Sequence, residues 1–286
     1  MTIFVTGSRG ITARRLTALL HPQYTVLVGA RSSHNDPTLP PSVAFNWKDE
    51  TTFENPFSHP LAKESPISAV YIVAPTGEES VLAGELAFIE FAAKRGVTRF
   101  VLLGSSMIPE GGPFMGQVHA KLRTLGVEWA VLRPSWFMEN FSEQQHTATI
   151  RDEDKIYTAT ENGKIPFCSA DDIAALAFHA LTVKEAPNRE IFVLGPQLLS
   201  YDDVSEALTR ALGRTITHEK LSADAFAQRL MEFGIPEPGA RGLAGMDIAI
   251  SQGAEEREND DVFQILGRQP KPLSEFIEEN LDVWRK

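Results

Sequence analysis

The sequence predicts an α/β protein built on a doubly wound parallel sheet, with a smaller and mainly helical C-terminal domain. Two observations support this fold class. A short apolar strand near the N-terminus runs directly into a turn that contains Gly7 and Gly10, and an amphipathic helix pattern with Leu16, Leu19 and Leu20 follows. Strand and helix patterns then alternate through residue 140, which is typical of parallel strands joined by helical crossovers.

The later elements follow from apolar runs and from the glycine and proline residues between them. Leu82, Leu86, Ile89 and Ala93 share one face of a predicted helix that ends at Gly96. In chain order we expect strands at 24–28, 43–46 and 68–73, this helix, a strand at 97–103, a helix at 114–125, a strand at 127–132, and a loop and turn at 133–140.

The turn after the first strand has the composition of a dinucleotide pocket. Gly7 lets the chain turn sharply out of the strand, Gly10 leaves space for a pyrophosphate, and Ala13 lets the helix pack closely on the sheet. The alternative is an ordinary strand-to-helix turn with incidental glycines. The cofactor-binding residues predicted here are Gly7, Ser8, Arg9, Gly10 and Ile11.

The end of the second strand favours NADP(H) over NAD(H). An NAD-selective site carries an acidic residue here to bind the ribose 2′-hydroxyl, and residues 29–33 contain none. Arg31 and Ser32 offer a guanidinium and a hydroxyl group to a 2′-phosphate, and Arg9 could close over the same group. The alternative for both arginines is a solvated surface position.

Further breaks follow the carboxyl ends of predicted strands, where open α/β sheets bind their ligands. One break follows the strand at 68–73, another follows the strand at 97–103, and a third follows the strand at 127–132. The cofactor contacts expected at these ends are Ala74, Pro75, Gly104, Ser105 and Pro134.

The chain leaves the predicted sheet after residue 140 and returns to it once. Asp171 or Asp172 is expected to cap a helix that runs through Leu181, and the apolar run at 190–194 is expected to join the sheet edge. From Ser200 the pattern is mainly helical. The predicted domains are a Rossmann-like NADP(H)-binding domain at 1–140, rejoined by about 169–196, and a substrate-binding cover at 141–168 and 197–286.

Composition narrows the class of protein. The 286 residues carry a net charge of −11 with scattered basic residues, so nucleic-acid binding is not expected. No signal-peptide pattern or bilayer-length apolar run occurs, which predicts a cytoplasmic protein without membrane contact. No Cys/His spacing indicates a metal site. The single cysteine, Cys168, lies in an apolar stretch and is expected to be a buried, unreactive thiol.

Several motifs are shared with a known group of proteins. They include Met115-Gly116 with His119, Leu132-Arg133-Pro134 with Trp136-Phe137-Met138-Glu139-Asn140, Ser169-Ala170-Asp171-Asp172-Ile173-Ala174, and Phe192-Val193-Leu194-Gly195-Pro196. On these residues the whole chain resembles the NmrA-like atypical short-chain dehydrogenase/reductases, and within them the fungal festuclavine and agroclavine dehydrogenases of ergot alkaloid biosynthesis. The resemblance implies NADPH-dependent reduction of a cyclic iminium, formed from chanoclavine-I aldehyde, to a tetracyclic ergoline.

The predicted site lacks the Tyr-x-x-x-Lys pair with which ordinary short-chain dehydrogenases protonate an alkoxide. His119 lies on the corresponding helix and could donate a proton, orient the substrate or bind the nicotinamide ribose. The alternative is a structural helix histidine. Ser105 and Ser106 could contact nicotinamide or substrate, or they could cap the next turn.

The missing acid matters less if the electrophile is already a cation, because hydride addition to an iminium gives a neutral amine. Trp136 and Phe137 could hold the cation with their aromatic faces, and Glu139 could hold it with a carboxylate. The alternatives are core packing for the aromatic residues and a helix-start position for Glu139. Met115 is grouped with Trp136 and Phe137 as a substrate contact.

Two other functions stay open from the sequence: an NADP(H)-sensing regulator without turnover, and a reductase of a neutral enone or quinone. The expected partner is a small molecule, a cationic indole alkaloid iminium. An upstream pathway enzyme or a thiol is a further candidate for presenting that iminium, and the sequence leaves the oligomeric state open.

Overall fold

The computed structural model describes residues 1–21, 23–31, 40–75 and 79–286. These residues form two compact units. The first unit comprises Met1–Arg133 and Ile173–Ile191, and the second comprises Pro134–Asp172 and Phe192–Lys286.

The described strands form one large sheet and one small sheet. They are β1 (Thr2–Val5), β2 (Thr25–Ala30), β3 (Ser42–Ala44), β4 (Ile67–Ile72), β5 (Arg99–Leu103), β6 (Glu128–Pro134), β7 (Lys155–Thr158), β8 (Arg189–Val193) and β9 (Thr217–Lys220). The large sheet has the order β3-β2-β1-β4-β5-β6-β8. The neighbouring strands from β3 to β6 pair in parallel. Because the order reverses between β1 and β4, the doubly wound parallel sheet is confirmed.

Helices connect and flank these strands. They are α1 (Ile11–Leu20), α2 (Asn55–Ser58), α3 (Pro60–Glu64), α4 (Glu79–Lys94), α5 (Met115–Thr124), α6 (Glu139–Ser142), α7 (Ala170–Thr182), α8 (Tyr201–Leu212), α9 (Ala223–Glu232), α10 (Glu237–Ser251), α11 (Asp261–Leu266) and α12 (Leu273–Trp284). A 3₁₀ turn covers Glu50–Thr52, and a π-helical turn covers Thr149–Glu153. In the described part of the chain no helix has both the length and the apolar character that crossing a bilayer requires.

The predicted strands of the large sheet are present, and their ends differ from the prediction by no more than two residues. The largest consequence is at β6, which continues through Pro134, a residue expected in the following loop. Proline has no N–H to donate to a ladder, and β6 ends at this residue. The predicted edge strand at 190–194 is confirmed as β8, beside β6.

An aromatic cluster fixes α4 on the sheet of the first unit. The ring of Phe88, on α4, lies 4.8 Å from that of Phe45, 5.2 Å from Phe53 and 5.6 Å from Trp47, between ring centroids. All four side chains are buried. Edge-to-face packing of this kind favours a single arrangement of the helix, because each ring edge must meet a ring face.

The cap of α7 differs from the expectation that Asp171 or Asp172 supplies it. Ser169 precedes the helix, and its hydroxyl oxygen accepts a hydrogen bond of 3.0 Å from the backbone N–H of Asp171. Asp172 is buried and instead accepts a 2.8 Å bond from the backbone N–H of Lys271. The physical reason is position: Ser169 directly precedes α7, where its hydroxyl group reaches a first-turn N–H, whereas Asp171 and Asp172 already lie within the first turn.

The small sheet of the second unit was not predicted from the sequence, which indicated mainly helices after Ser200. Strands β7 and β9 pair in parallel within the second unit. Both are short, and β9 reads Thr217-His218-Glu219-Lys220, which has no apolar alternation. The pairing joins segments far apart in the chain, so no local pattern indicates it.

Candidate functional site

The turn between β1 and α1 requires glycine at its first position. Gly7 has a φ of +64°, and a Cβ there would lie 3.2 Å from the carbonyl oxygen of Val73. The backbone N–H of Gly10 donates to the carbonyl oxygen of Gly7 at 2.7 Å, and a Cβ on Gly10 would lie 3.0 Å from that same oxygen. The turn is therefore closed by its own hydrogen bond and has no room for side chains on its inner face.

The N-terminus of α1 opens directly at this turn. Gly10 is the N-cap residue and supplies no side-chain oxygen to the first-turn N–H groups. Ser8 and Ile11 are half-buried, and Arg9 is exposed. Free N–H groups and the positive end of the helix dipole favour an anion at this point. These residues fit the pyrophosphate of a dinucleotide.

The end of β2 carries an exposed Arg31 one residue after the strand. Ser32, which the sequence predicts as a second contact to a 2′-phosphate, lies outside the described residues. Among the described residues no carboxylate pairs with Arg31 or with Arg9. Both guanidinium groups have the charge and the geometry to bind a phosphate.

The segments that follow β4 and β5 lie side by side, because these strands are parallel neighbours and both segments leave from carboxyl ends. Ala74 is half-buried and Pro75 is exposed. Gly104 donates its N–H to the carbonyl oxygen of Leu132 at 2.7 Å, and a Cβ there would lie 3.1 Å from that oxygen. Glycine at 104 is thus required by the close approach of β6.

Arg133 holds the loop that follows β5. Its Nε donates to the carbonyl oxygen of Ser105 at 3.1 Å, and its Nη2 donates to the carbonyl oxygen of Ser106 at 2.7 Å. Its Nη1 pairs with the carboxylate of Glu190 at 2.7 Å. The side chain is buried, with 8% of its surface exposed. No role for Arg133 was predicted from the sequence, although the Arg-Pro pair was part of the family resemblance.

Ser105 and Ser106 differ in what their side chains do. The hydroxyl oxygen of Ser105 accepts a hydrogen bond of 3.3 Å from the backbone N–H of Met107, so Ser105 caps the next turn, as one of the two sequence alternatives held. Ser106 is fully buried.

His119 lies within α5 with 3% of its surface exposed. Its ring packs against Trp129, with 5.5 Å between ring centroids, and no described residue forms a hydrogen bond with the imidazole. Burial is the main cause that lowers its pKa below the usual value, and Glu110 opposes that shift. The imidazole is therefore neutral at pH 7. Met115, the first residue of α5, is half-buried.

The predicted substrate residues Trp136 and Phe137 belong to the second unit and follow the buried Pro134 and Ser135. Both are half-buried, and neither is part of the buried core. The backbone N–H of Cys168 donates to the carbonyl oxygen of Trp136 at 2.9 Å, and that of Met138 donates to the carbonyl oxygen of Cys168 at 2.9 Å. This ladder fixes the turn while leaving the aromatic faces partly accessible.

Glu139 is buried, and its carboxylate binds the start of α7. Both of its oxygens lie 3.0 Å from the backbone nitrogen of Ala170, which donates to them. The sequence alternative of a helix-start carboxylate is therefore what the geometry supports, although the helix start that the carboxylate binds is that of α7, and Glu139 is only the first residue of α6.

A second buried carboxylate, Glu255, lies beside the same turn and was missed from the sequence. The hydroxyl group of Ser135 donates to it at 2.7 Å, and Arg257 lies 3.4 Å from it. Glu255 is 120 positions from Ser135 in the chain, so no sequence signal connects them. The pair anchors the backbone one residue before Trp136.

Cys168 is fully buried, and its thiol donates a weak bond of 3.6 Å to the carbonyl oxygen of Ser135. Burial raises the pKa of the thiol well above its ordinary value, and the carboxylates of Glu139 and Asp172 raise it further. The predicted burial of Cys168 is confirmed, and a thiol with a raised pKa forms little of the reactive thiolate. Within the described ranges no group of His, Cys, Asp and Glu side chains has an arrangement that could hold a metal ion.

The reversal of strand order at β1 and β4, with a glycine turn and an open helix N-terminus at that point, defines a Rossmann-type dinucleotide-binding fold. The fold resembles the crystal structure of the triphenylmethane reductase of Citrobacter sp. complexed with NADP(H), with a TM-score of 0.81 and 18% sequence identity. The superposition covers 98% of this chain and 100% of that chain. This likeness shows the fold. No protein-family model matches the sequence.

Full-length relatives show the family. The agroclavine dehydrogenase of Claviceps fusiformis is 44% identical over 288 residues, 99% of each chain. The festuclavine dehydrogenase of Aspergillus fumigatus is 45% identical over 293 residues, 100% of each chain. The chain belongs to the agroclavine and festuclavine dehydrogenase family, a family of oxidoreductases.

Proposed function

We propose that the chain is an NADPH-dependent reductase that transfers a hydride to a cyclic iminium derived from chanoclavine-I aldehyde, giving a tetracyclic ergoline of the festuclavine or agroclavine type. The observation that carries this proposal is the full-length identity of 44% to agroclavine dehydrogenase, with no large insertion or deletion. The local geometry supports it at three points: the cofactor turn, the buried His119 on α5, and the aromatic turn after β6.

The glycine turn and the N-terminus of α1 hold the cofactor in this proposal. The first-turn N–H groups of α1 bind the pyrophosphate, and Arg31 and Arg9 pair with the 2′-phosphate. Ser32 is proposed as a further donor to that phosphate. When bound, the reduced cofactor supplies a hydride from its nicotinamide ring. Ala74, Pro75, Gly104, Ser105 and Ser106 line the edge toward which the nicotinamide extends.

The reaction in this proposal consumes no proton. The hydride forms a C–H bond at the iminium carbon, and the C=N π pair becomes the lone pair of a neutral amine. A residue that protonates an alkoxide is therefore unnecessary. His119 suits this chemistry because a buried imidazole with a lowered pKa is neutral at pH 7 and carries no positive charge to repel a cationic substrate. We assign it a positioning role on α5.

Aromatic faces receive the cation in the second unit, and two fixed carboxylates hold the turn that carries them. Trp136 and Phe137 offer partly accessible rings, and cation–π contacts of this kind contribute about 0.5–2 kcal/mol. Glu139 acts through α7 and Glu255 acts through Ser135, so both position the turn that carries the rings. Met115 is proposed as an apolar substrate contact.

An anaerobic incubation of the chain with NADPH and enzymatically made chanoclavine-I aldehyde tests the proposal. We expect oxidation of one NADPH for each tetracyclic product formed, identified by mass spectrometry. The Gly10→Val variant is the matched control, because its side chain fills the pyrophosphate position. Tight NADPH binding without any oxidation would favour the sensing regulator, and oxidation by quinones or enones alone would favour the neutral-substrate reductase.

A further inference from the structure

Helix α4 carries a buried carboxyl group that the proposed reaction leaves unassigned. Glu85 has only 5% of its surface exposed. The four side chains one helical turn away on the same face are buried and apolar: Val81, Leu82, Phe88 and Ile89. Among the described residues, none forms a hydrogen bond or an ion pair with the carboxyl group of Glu85. Burying an acidic group without a partner costs free energy, which makes Glu85 a candidate functional residue.

Glu85 lies toward the edge of the sheet that carries the cofactor turn. The ring of Phe88, one turn further along α4, packs against Phe4 of β1 with 6.0 Å between ring centroids. Because α4 runs back from the carboxyl end of β4, Glu85 lies one turn, about 5.4 Å, closer to that end than Phe88 does. Phe4 precedes Gly7 by three positions. Glu85 therefore lies beside the end of β1, where the cofactor turn begins.

The apolar cluster around Glu85 extends to the cofactor edge. The four apolar neighbours of Glu85 belong to one buried cluster with Phe4 of β1, Ile72 of β4 and Leu102 of β5. Ala74, an expected cofactor contact, packs against this same cluster. Glu85 and the cofactor edge therefore share one apolar region, in which charges interact more strongly than they do in water.

The carboxyl group of Glu85 is protonated at pH 7 in the cofactor-free chain. Burial raises its pKa to about 8, and no charge among the described residues contributes to this shift. Desolvation has this effect because the carboxylate loses more hydration than the neutral acid does. Glu85 can therefore gain or lose a proton slightly above neutral pH.

The elements packed against α4 offer Glu85 no described counter-charge. Strands β1 and β4 carry no charged residue. On α5, Lys121 pairs with Glu90 of α4, and the imidazole of His119 is neutral at pH 7. The 3₁₀ turn contributes Glu50, which is exposed. The other described charges on neighbouring elements are paired with each other: Arg95 with Glu54, Arg99 with Glu128, and Arg123 with Glu110.

We propose that the chain binds NADPH with Glu85 protonated, so that cofactor binding and ionisation of this carboxyl group oppose each other. The pyrophosphate carries two negative charges, and a carboxylate in the adjoining apolar region repels them. A proton on Glu85 removes this repulsion, and bound NADPH in turn holds that proton more firmly. This proposal rests on the NADPH binding of the proposed function and not on its substrate, because the proposed hydride transfer uses no proton.

Calorimetric titration of the full chain with NADPH at pH 8, in buffers with different enthalpies of ionisation, measures the protons taken up for each cofactor bound. We expect the wild-type chain to take up roughly half a proton from Glu85 ionisation, since the 2′-phosphate is already ionised at this pH. Glu85→Gln keeps the shape of the side chain and cannot ionise, so it should take up none. Glu90→Gln, the same change at a half-buried position of α4, should behave as the wild-type chain does.

The affinity for NADPH should show the same coupling. Between pH 7 and pH 9 we expect the Kd to rise about five- to tenfold in the wild-type chain and to stay constant in Glu85→Gln, with circular dichroism confirming the fold at both pH values. If that variant does not fold, Glu85→Met takes its place. Equal proton uptake in the wild-type chain and the variant, or a wild-type Kd that does not change with pH, would overturn the coupling and leave the reductase proposal intact. No binding of NADPH at either pH would overturn both.

Discussion

Substitution of Arg133 tests how the Gly104–Ser106 loop is held in place after β5. In Arg133→Met the apolar stem remains, but the carbonyl oxygens of Ser105 and Ser106 lose their donors at 3.1 and 2.7 Å. Hydrogen bonds from a charged group contribute about 1.5–3 kcal/mol each. The ion pair with Glu190 adds less than about 1 kcal/mol, because 40% of the glutamate side chain is exposed and solvent screens it. Partial rehydration of the loop offsets part of the loss, so we expect the free energy of unfolding to fall by about 3 kcal/mol.

Urea denaturation followed by circular dichroism measures this change in the free energy of unfolding. Isothermal titration calorimetry measures the NADPH affinity of the folded variant. We expect the Kd for NADPH to rise about tenfold, since the Gly104–Ser106 loop becomes mobile. Glu190→Gln is the matched control and should lose less than about 1 kcal/mol with an unchanged Kd. A loss below about 0.5 kcal/mol in Arg133→Met, with normal NADPH binding, would refute the role of Arg133 in holding this loop.

Four further predictions follow from the described residues. Gly10→Val should fold, judged by circular dichroism, yet lose NADPH binding in calorimetry, because a Cβ at Gly10 already lies 3.0 Å from the Gly7 oxygen and the branched side chain fills the phosphate position; normal binding would contradict this. Arg31→Ala should weaken NADPH by about 2 kcal/mol without changing NADH affinity, and equal wild-type affinities for the two cofactors would disprove the assignment. His119→Ala should slow single-turnover hydride transfer to an iminium by less than about tenfold, whereas loss of a general acid costs about 10²–10⁴-fold. Burial raises the pKa of Asp247 to about 7, although the Ala159 N–H donates to it. The folded chain therefore keeps a proton that the unfolded chain releases above about pH 4, and the stability from this group is lost as pH rises to 7. In the wild-type chain this group should lower the free energy of unfolding by on the order of 4 kcal/mol as pH rises to 7, and Asp247→Asn should abolish that decrease. Urea denaturation curves with the same pH dependence in both chains would contradict this prediction.

The sheet could be predicted from the sequence because its strands are short apolar runs separated by helices, glycine and proline. The turn at Gly7 and Gly10 could be located for the same reason, since its chemistry lies in consecutive residues. Strand β9 could not, because a polar strand such as Thr217–Lys220 is stabilised by pairing with β7 rather than by its own pattern.

The contacts that organise the site were harder to predict, because they join distant positions. The carboxylate of Glu139 was expected near a substrate, and it binds Ala170, 31 positions away. The Ser135–Glu255 and Arg133–Ser106 bonds likewise depend on tertiary proximity. Side-chain types indicate what a residue can do, and only the fold decides which partner it meets.

Isotopic labelling can show whether the chain transfers a hydride from NADPH to an iminium carbon. The chain is incubated under argon with chanoclavine-I aldehyde and with NADPH that carries deuterium at each face of nicotinamide C4 in turn. The account predicts that one labelled cofactor gives a tetracyclic amine with a single deuterium on the carbon next to nitrogen, and that the other gives unlabelled amine. A tetracyclic product without deuterium from either cofactor, or oxidised NADPH without any tetracyclic product, would contradict it.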